Sequence, residues 1–171
     1  MGRNLVWDPV PRPQPVIPKD DRITSNLASP EYLSKVYGLH AAIERELPLY
    51  DLNELTSHHF CEGLYCRQFD LPAGGVAVGK MHGEESFFLL MKGRASFSTE
   101  DGMVTVEAPF MTTTTPGSKR VVYAHTDCTW LTFHPNPENH REIPKLEQRI
   151  IIPDPQPSLE GPTHKQLEKQ I

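Results

Sequence analysis

The sequence lacks the features that mark membrane, secreted and nucleic-acid-binding proteins. No apolar run in its 171 residues approaches the roughly 18 to 20 that a membrane-spanning helix needs, and the first residues lack the apolar core of a signal peptide. Cysteines number only three, an odd count typical of free thiols in a reducing cytoplasm. Basic clusters are absent and the net charge is -5. We therefore expect a protein made in the cytoplasm, with neither a membrane nor a nucleic-acid partner.

Apolar residues are also scarce, and the prolines indicate which parts of the chain lie outside a core. The hydrophobic fraction is 37% and the mean hydropathy is -0.46, which is low for one compact domain. Five prolines fall in residues 1–18 and seven from Pro135 onward, against three between residues 49 and 134. Alternating prolines favour an extended polyproline II conformation. We predict Pro-rich arms over 1–28 and 137–171, the second with short helical pieces.

A short helical segment is predicted over 29–48. Ser29 is a suitable N-cap and Pro30 a suitable first helical residue. Apolar residues then recur at helical spacing. Gly38 predicts a break into two pieces, and Pro48 ends the segment.

The centre of the chain, residues 49–136, has the pattern of an all-β domain. Strands of five to seven residues alternate with turns such as Asp101-Gly102, as in sandwiches and barrels. Five consecutive apolar residues, 87–91, predict a strand covered on both faces. The threonine-rich segment 111–115 is typical of an edge strand or a subunit contact. The predicted strands are Leu64–Asp70, Gly75–Met81, Glu85–Met91, Arg94–Thr99, Met103–Glu107, Phe110–Thr114, Arg120–Ala124 and Cys128–His134.

Five short segments carry a family resemblance that covers residues from about 50 to 140. They are His58-His59-Phe60, Gly63-Leu64-Tyr65, Gly79-Lys80-Met81-His82, Pro116-Gly117-Ser118-Lys119-Arg120 and Thr129-Trp130-Leu131-Thr132-Phe133-His134. These segments resemble those of small cupin-like proteins encoded by tailed bacteriophages. The resemblance implies a cupin-like double-sheet β-barrel of the jelly-roll type, and it implies oligomers.

The sequence departs from the cupin pattern at its metal ligands. The usual first motif is H-x-H-x3-4-E-x6-G, but Lys80 takes the place of the first histidine if His82 is the second. Ser86 stands where the phage-type relatives carry a histidine. Arg120 occupies the region of the histidine in the second motif. These departures bear on metal binding and not on the barrel.

Five residues form the candidate site at the barrel mouth: Lys80, His82, Glu85, Arg120 and His134. Cations there could hold a carboxylate or a phosphate, with arginine making the bidentate contact. No metal or other cofactor is expected in this case. In the alternative, His82, Glu85 and His134 bind iron, zinc or manganese, because two histidines and a carboxylate suit such a metal.

The function expected from these patterns is a structural one. A barrel with extended arms suits a non-enzymatic component of a phage particle, either a capsid decoration or a tail or connector protein. Residues 1–28 and 137–171 would bind neighbouring virion proteins and further copies of the chain, because an extended arm exposes unpaired backbone groups. The alternatives are a small metal-dependent enzyme of dioxygenase or isomerase type, and a barrel that binds a small anion without chemistry.

Overall fold

Two antiparallel sheets with a core between them form the body of the protein. The computed structural model describes residues 28–46, 48 and 50–154. The elements are α1 (Pro30–Glu46), β1 (Thr56–Cys61), β2 (Gly63–Leu71), β3 (Val76–Val78), β4 (Met81–His82), β5 (Ser86–Lys92), β6 (Arg94–Thr99), β7 (Gly102–Glu107), β8 (Phe110–Thr114), β9 (Val121–Ala124), β10 (Cys128–Asn136), α2 (Ile143–Ile150) and β11 (Ile151–Ile152). Neither helix in this part of the chain is long and apolar enough to cross a membrane.

The strand order confirms the predicted fold class, a mostly β, cupin-like double sheet preceded by a short helix. One sheet has the order β1-β2-β10-β5-β8, the other has the order β3-β9-β6-β7, and β11 pairs with β4. The predicted arms fall largely on residues 1–27 and 155–171, outside the described residues. The predicted edge strand is confirmed, because β8 lies at the border of the five-stranded sheet.

The hydrophobic core lies between the two sheets at one end of the barrel. Phe88 of β5 meets Phe97 of β6 edge to face, with ring centroids 5.2 Å apart. Phe69 of β2 stacks on Trp130 of β10 at 4.9 Å. These rings reach the core because side chains at every second strand position face inward. The buried members are Leu71, Phe88, Leu90, Ala95, Phe97, Val122, Ala124, Cys128 and Trp130.

The predicted break at Gly38 is wrong, since α1 continues from Pro30 to Glu46. Glycine costs about 1 kcal/mol in a helix interior relative to alanine, and tertiary contacts of the helix offset this cost. Val36 is buried, and the Tyr32 hydroxyl donates to the Lys119 carbonyl oxygen at 2.9 Å. The Tyr32 contact holds the first turns of the helix against the barrel, and Val36 is buried one turn further on.

The hairpin at Asp101-Gly102 is confirmed, and two neighbouring predictions need correction. Strands β6 and β7 pair from Arg94↔Glu107 to Thr99↔Gly102, so the turn residues are Glu100 and Asp101, and Gly102 follows them with a positive φ of 124°. The single strand predicted over Gly75–Met81 is divided into β3 and β4, because the chain leaves the sheet at residues 79–80. Strand β1, which pairs with β2, was not among the predicted strands.

The expectation that both faces of residues 87–91 are covered is also wrong. Ser86, Phe88 and Leu90 are buried, whereas Phe87 and Met91 are 54% and 51% exposed. Among the described residues, nothing covers the outer face of the sheet at β5. The apolar run therefore contains one inward row and one outward row of side chains.

Part of the predicted C-terminal arm packs on the barrel as helix α2. Leu146 and Ile150, four residues apart on one face of the helix, are buried against Tyr65. Arg149 on the same helix pairs with Glu84, which precedes β5, at 3.0 Å. Strand β11 follows at once and pairs with β4 through Ile151↔His82. Helix α2 thus closes the end of the barrel where the predicted site residues lie.

Candidate functional site

A cavity of about 560 Å³ occupies the barrel interior beside the core. Strands of both sheets line it, and the second half of α1 flanks it through His40, Ile43 and Glu44. Ligand sites in proteins typically have volumes of about 300–1,000 Å³. The barrel therefore has room for a small molecule, and its interior is only partly filled by side chains.

Aromatic side chains form one wall of the cavity. Phe69, Phe88, Phe97 and Trp130 belong to the core and also line the cavity. Phe88 and Trp130 lie with ring centroids 6.1 Å apart, so the rings form one continuous apolar surface. A flat apolar group can pack against such a surface by ring stacking.

Cationic side chains line the cavity next to the aromatic wall. Arg67 of β2 lies between His58 and Thr132 in the sheet register, and no ion pair in the described part of the chain includes it. Arg120 lies just before β9, and burial lowers the pKa of its guanidinium. Glu44 is the one carboxylate among the described residues that line the cavity. Arg67 therefore places in the lining a positive charge that no carboxylate among the described residues pairs with.

Two buried histidines form the polar end of the barrel. The rings of His82 and His134 meet edge to face with centroids 5.1 Å apart, and the residues are 7% and 1% exposed. The Nδ1 atoms of both rings, with the hydroxyls of Ser86 and Thr132, are buried without a hydrogen-bond partner in the described chain. Buried polar atoms usually have partners, so these four atoms are an exception within the described chain.

Both histidines are neutral at pH 7. Burial is the main cause, and it lowers the pKa of His82 to about 4, with further lowering by the charges of Arg67 and Arg120. The pKa of His134 falls to about 3 through burial, His82 and Arg67, with a smaller effect of Arg149.

Tyr65 connects the histidine pair to the cavity mouth. Its hydroxyl lies 2.7 Å from Nδ1 of His58, which lines the cavity, and its ring stacks on His134 at 5.9 Å. Burial raises the pKa of Tyr65 to about 12, so the phenol keeps its proton. Burial also lowers the pKa of His58, followed by the charge of Arg67.

The structure brings four of the five predicted site residues to the cavity or its border. Lys80, His82 and Arg120 line the cavity, and His134 contacts His82. Lys80 is exposed and pairs with Glu147 of α2 at 2.6 Å, so its charge is partly neutralised. Glu85 lies at the exposed surface before β5 and does not line the cavity.

The residues of this site do not fit the divalent metal that many cupin barrels hold. His82 and His134 lie together, but Glu85 is at the surface and Glu84 is paired with Arg149. Within residues 28–46, 48 and 50–154, no three His, Cys, Asp or Glu side chains are grouped as metal ligands. The positive charges of Arg67 and Arg120 also act against a cation beside His82.

Sequence reasoning missed Arg67, although a signal was present. Residues 65, 67, 69 and 71 alternate along β2, and three of them are Tyr, Phe and Leu. Side chains with the same parity in a strand lie on the same face of a sheet. The apolar residues at positions 65, 69 and 71 therefore predict that the side chain of Arg67 also lies on the inward face of the sheet.

No protein-family model and no curated protein matches this sequence. Among solved structures, the chain is similar to a cupin-2 domain containing protein from Shewanella frigidimarina, with 12% identity over 61% of this chain and 98% of that one, and a TM-score of 0.41. A cupin superfamily protein from Desulfitobacterium hafniense matches with 11% identity over 53% and 91%, at 0.42. Salicylate 1,2-dioxygenase from Pseudoaminobacter salicylatoxidans matches with 14% identity over 75% and 41%, at 0.46. Similarity at this level concerns the fold alone.

Proposed function

We propose that the barrel binds a small organic anion, namely a carboxylate attached to a flat apolar group. The carrying observation is the guanidinium of Arg67, which has no ion pair among the described residues, in a cavity with an aromatic wall. Arg67 supplies the bidentate donor that matches a carboxylate. The aromatic wall of Phe69, Phe88 and Trp130 supplies the surface for the apolar group.

The polar end of the barrel supports the same assignment. Neutral His82 and the Thr132 hydroxyl can donate or accept hydrogen bonds without adding charge. Their unpartnered atoms give a ligand polar partners after small side-chain adjustments. The site holds and orients such a molecule without changing it chemically.

Replacing Arg67 by methionine is expected to weaken binding of 2-naphthoate about 10- to 100-fold, because a charge-assisted hydrogen bond to a carboxylate contributes about 1.5–3 kcal/mol. The measurement is isothermal titration of the full chain with 2-naphthoate, supported by quenching of Trp130, which lines the cavity. The neutral analogue 2-naphthamide is expected to bind both proteins weakly and equally.

Arg94→Met is the matched control for this experiment, because Arg94 is an exposed arginine at the start of β6 that does not line the cavity. It is expected to leave naphthoate binding within about twofold of the wild type. Equal binding of the acid and the amide, or equal losses in the two arginine variants, would refute the anion site.

A structural role in a phage particle, with terminal arms that bind neighbours, is a second proposal. One contact network favours it. The Lys119 carbonyl oxygen accepts from Tyr32 of α1, and the Lys119 ammonium pairs with Asp154 at 2.8 Å. The first turns of α1 and Asp154 therefore lie at one region of the barrel, and arms that continue from there would be near the same neighbour.

Deletion of residues 1–18 tests the structural role. We expect the barrel to fold, because the core and α1 lie entirely within the retained residues. We expect assembly to fail, because the deleted segment would make the contacts to neighbours. Circular dichroism checks the fold, and sedimentation velocity measures the assembly. Assembly that is unchanged after the deletion would count against this role.

A further inference from the structure

In the described part of the chain, helix α1 is fixed to the barrel by its first half. The Tyr32 hydroxyl donates to the Lys119 carbonyl oxygen at 2.9 Å, and Val36 is 3% exposed. The Tyr37 hydroxyl donates to the Asp154 carboxylate at 3.1 Å, and the Lys119 ammonium lies 5.0 Å from the centroid of the Tyr37 ring. The first half of the helix is therefore held in place by hydrogen bonds, by a cation–π contact and by burial.

The second half of α1, residues 39–46, lacks contacts of this kind among the described residues. None of its side chains is buried, and Leu39 is 46% exposed. Its side-chain polar contacts stay within the helix, as between His40 and Glu44 at 3.5 Å. Ile43 and this pair line the cavity. The second half thus borders the cavity, while no hydrogen bond or ion pair in the described chain joins it to the barrel.

Gly38 separates the two halves of α1, and packing does not require a glycine there. A Cβ atom at this position would meet no atom of the barrel within 4 Å. Glycine is nevertheless the poorest helix former apart from proline. A residue that breaks a local rule, and whose own contacts do not account for it, often serves function. A helix bends more readily at glycine than at alanine, so α1 bends most easily at the boundary between its two halves.

We propose that residues 39–46 are a gate beside the cavity, which opens when α1 bends at Gly38. The gate admits and releases the organic anion proposed above, so this inference rests on the proposed function. In the straight helix, His40 and Ile43 border the cavity. In the bent helix they move away from it, whereas the first half of the helix stays on the barrel. Gating motions of this kind take microseconds to milliseconds and set the rates at which a ligand enters and leaves.

Gly38→Ala is expected to slow both the binding and the release of 2-naphthoate about fivefold, because alanine favours the straight helix over the bent one by about that ratio. The dissociation constant is expected to stay within about twofold of the wild type, because alanine stabilises the straight helix equally with and without the ligand. Stopped-flow quenching of Trp130, which lines the cavity, measures both rates in the full chain.

Ser34→Ala is the matched control, because Ser34 is exposed in the first half of the same helix. This variant also replaces a weaker helix former by alanine, but in the half that stays on the barrel, so both rates are expected to remain within about twofold of the wild type. Unchanged rates in Gly38→Ala, equal slowing in the two variants, or a changed dissociation constant without slower binding would each overturn the gate.

Relaxation dispersion of the Ile43 methyl group tests the gate without a ligand. The wild type is expected to show exchange in the range of microseconds to milliseconds. Gly38→Ala is expected to reduce this exchange about fivefold, and Ser34→Ala to leave it unchanged. Ile150, which is buried on α2, is expected to show no such exchange. Absence of exchange at Ile43 would refute the gate, whereas a wild type that does not bind 2-naphthoate would refute the proposed function alone.

Discussion

Replacement of Asp154 by alanine is expected to destabilise the protein by about 2–3 kcal/mol, because it leaves a buried ammonium without its counter-charge. The Lys119 side chain is 1% exposed, and its Nζ atom lies 2.8 and 3.0 Å from the two oxygens of Asp154. Asp154 itself is 39% exposed, and this solvent access places the expected loss at the low end for buried ion pairs. Urea unfolding followed by circular dichroism measures the loss.

The double variant Lys119→Met with Asp154→Ala separates the charge from the packing. Removal of both partners leaves no unpaired buried charge, so the double variant is expected to be more stable than Asp154→Ala alone. Glu147→Ala is the control, because its pair with Lys80 is roughly half exposed on both sides, and it is expected to cost less than about 1 kcal/mol. A double variant less stable than Asp154→Ala would contradict this account.

Acidification from pH 6.5 to pH 4 is expected to lower the free energy of unfolding steeply. His82 and His134 have pKa values of about 4 and about 3 in the folded chain, below the ordinary value of 6.5. Between those values the unfolded chain binds protons that the folded chain does not, so stability falls as the pH falls. Each histidine contributes a slope of about 1.4 kcal/mol per pH unit in this range, and none above it.

Urea unfolding at several pH values measures this dependence. His82→Leu and His134→Leu are each expected to reduce the slope, whereas His59→Leu, at an exposed histidine of β1, is expected to leave it unchanged. Nitrogen chemical shifts of the imidazoles in the intact chain give a direct check that does not depend on the variants. Charged rings at both His82 and His134 at pH 5 would refute the buried neutral pair.

The sequence predicted the parts of the fold that local chemistry determines. Strands β6 and β8 have the predicted bounds, because Asp101-Gly102 fixes one hairpin and turn residues flank the other strand. Strand β1 was missed because its residues 57–59 are all exposed, which leaves no apolar alternation to detect. It exists because it pairs with β2, a contact that the local sequence does not encode.

The candidate site was predictable in its residue types and less so in its geometry. The positions of His82 and Arg120 in the sequence motifs predicted that both residues line the cavity, and they do. The position of α1 beside the cavity and the contact between His82 and His134 depend on packing between distant segments, which the motifs do not show. Lys119 is the clearest example of a contact that the sequence does not predict. The sequence places Lys119 beside Arg120 in one of the resembling segments, and only the structure shows that its ammonium pairs with the chain's own Asp154.

Lys119 connects the last described residues of the chain to the helix that flanks the cavity. Its side chain holds Asp154, and its carbonyl oxygen holds Tyr32 of the helix that flanks the cavity. A change in the position of Asp154 would therefore be transmitted through Lys119 to the helix beside the cavity. If the proposed contacts of the arms with neighbours form, the linkage is reciprocal, and a molecule in the cavity would in turn alter the binding of a neighbour at that end.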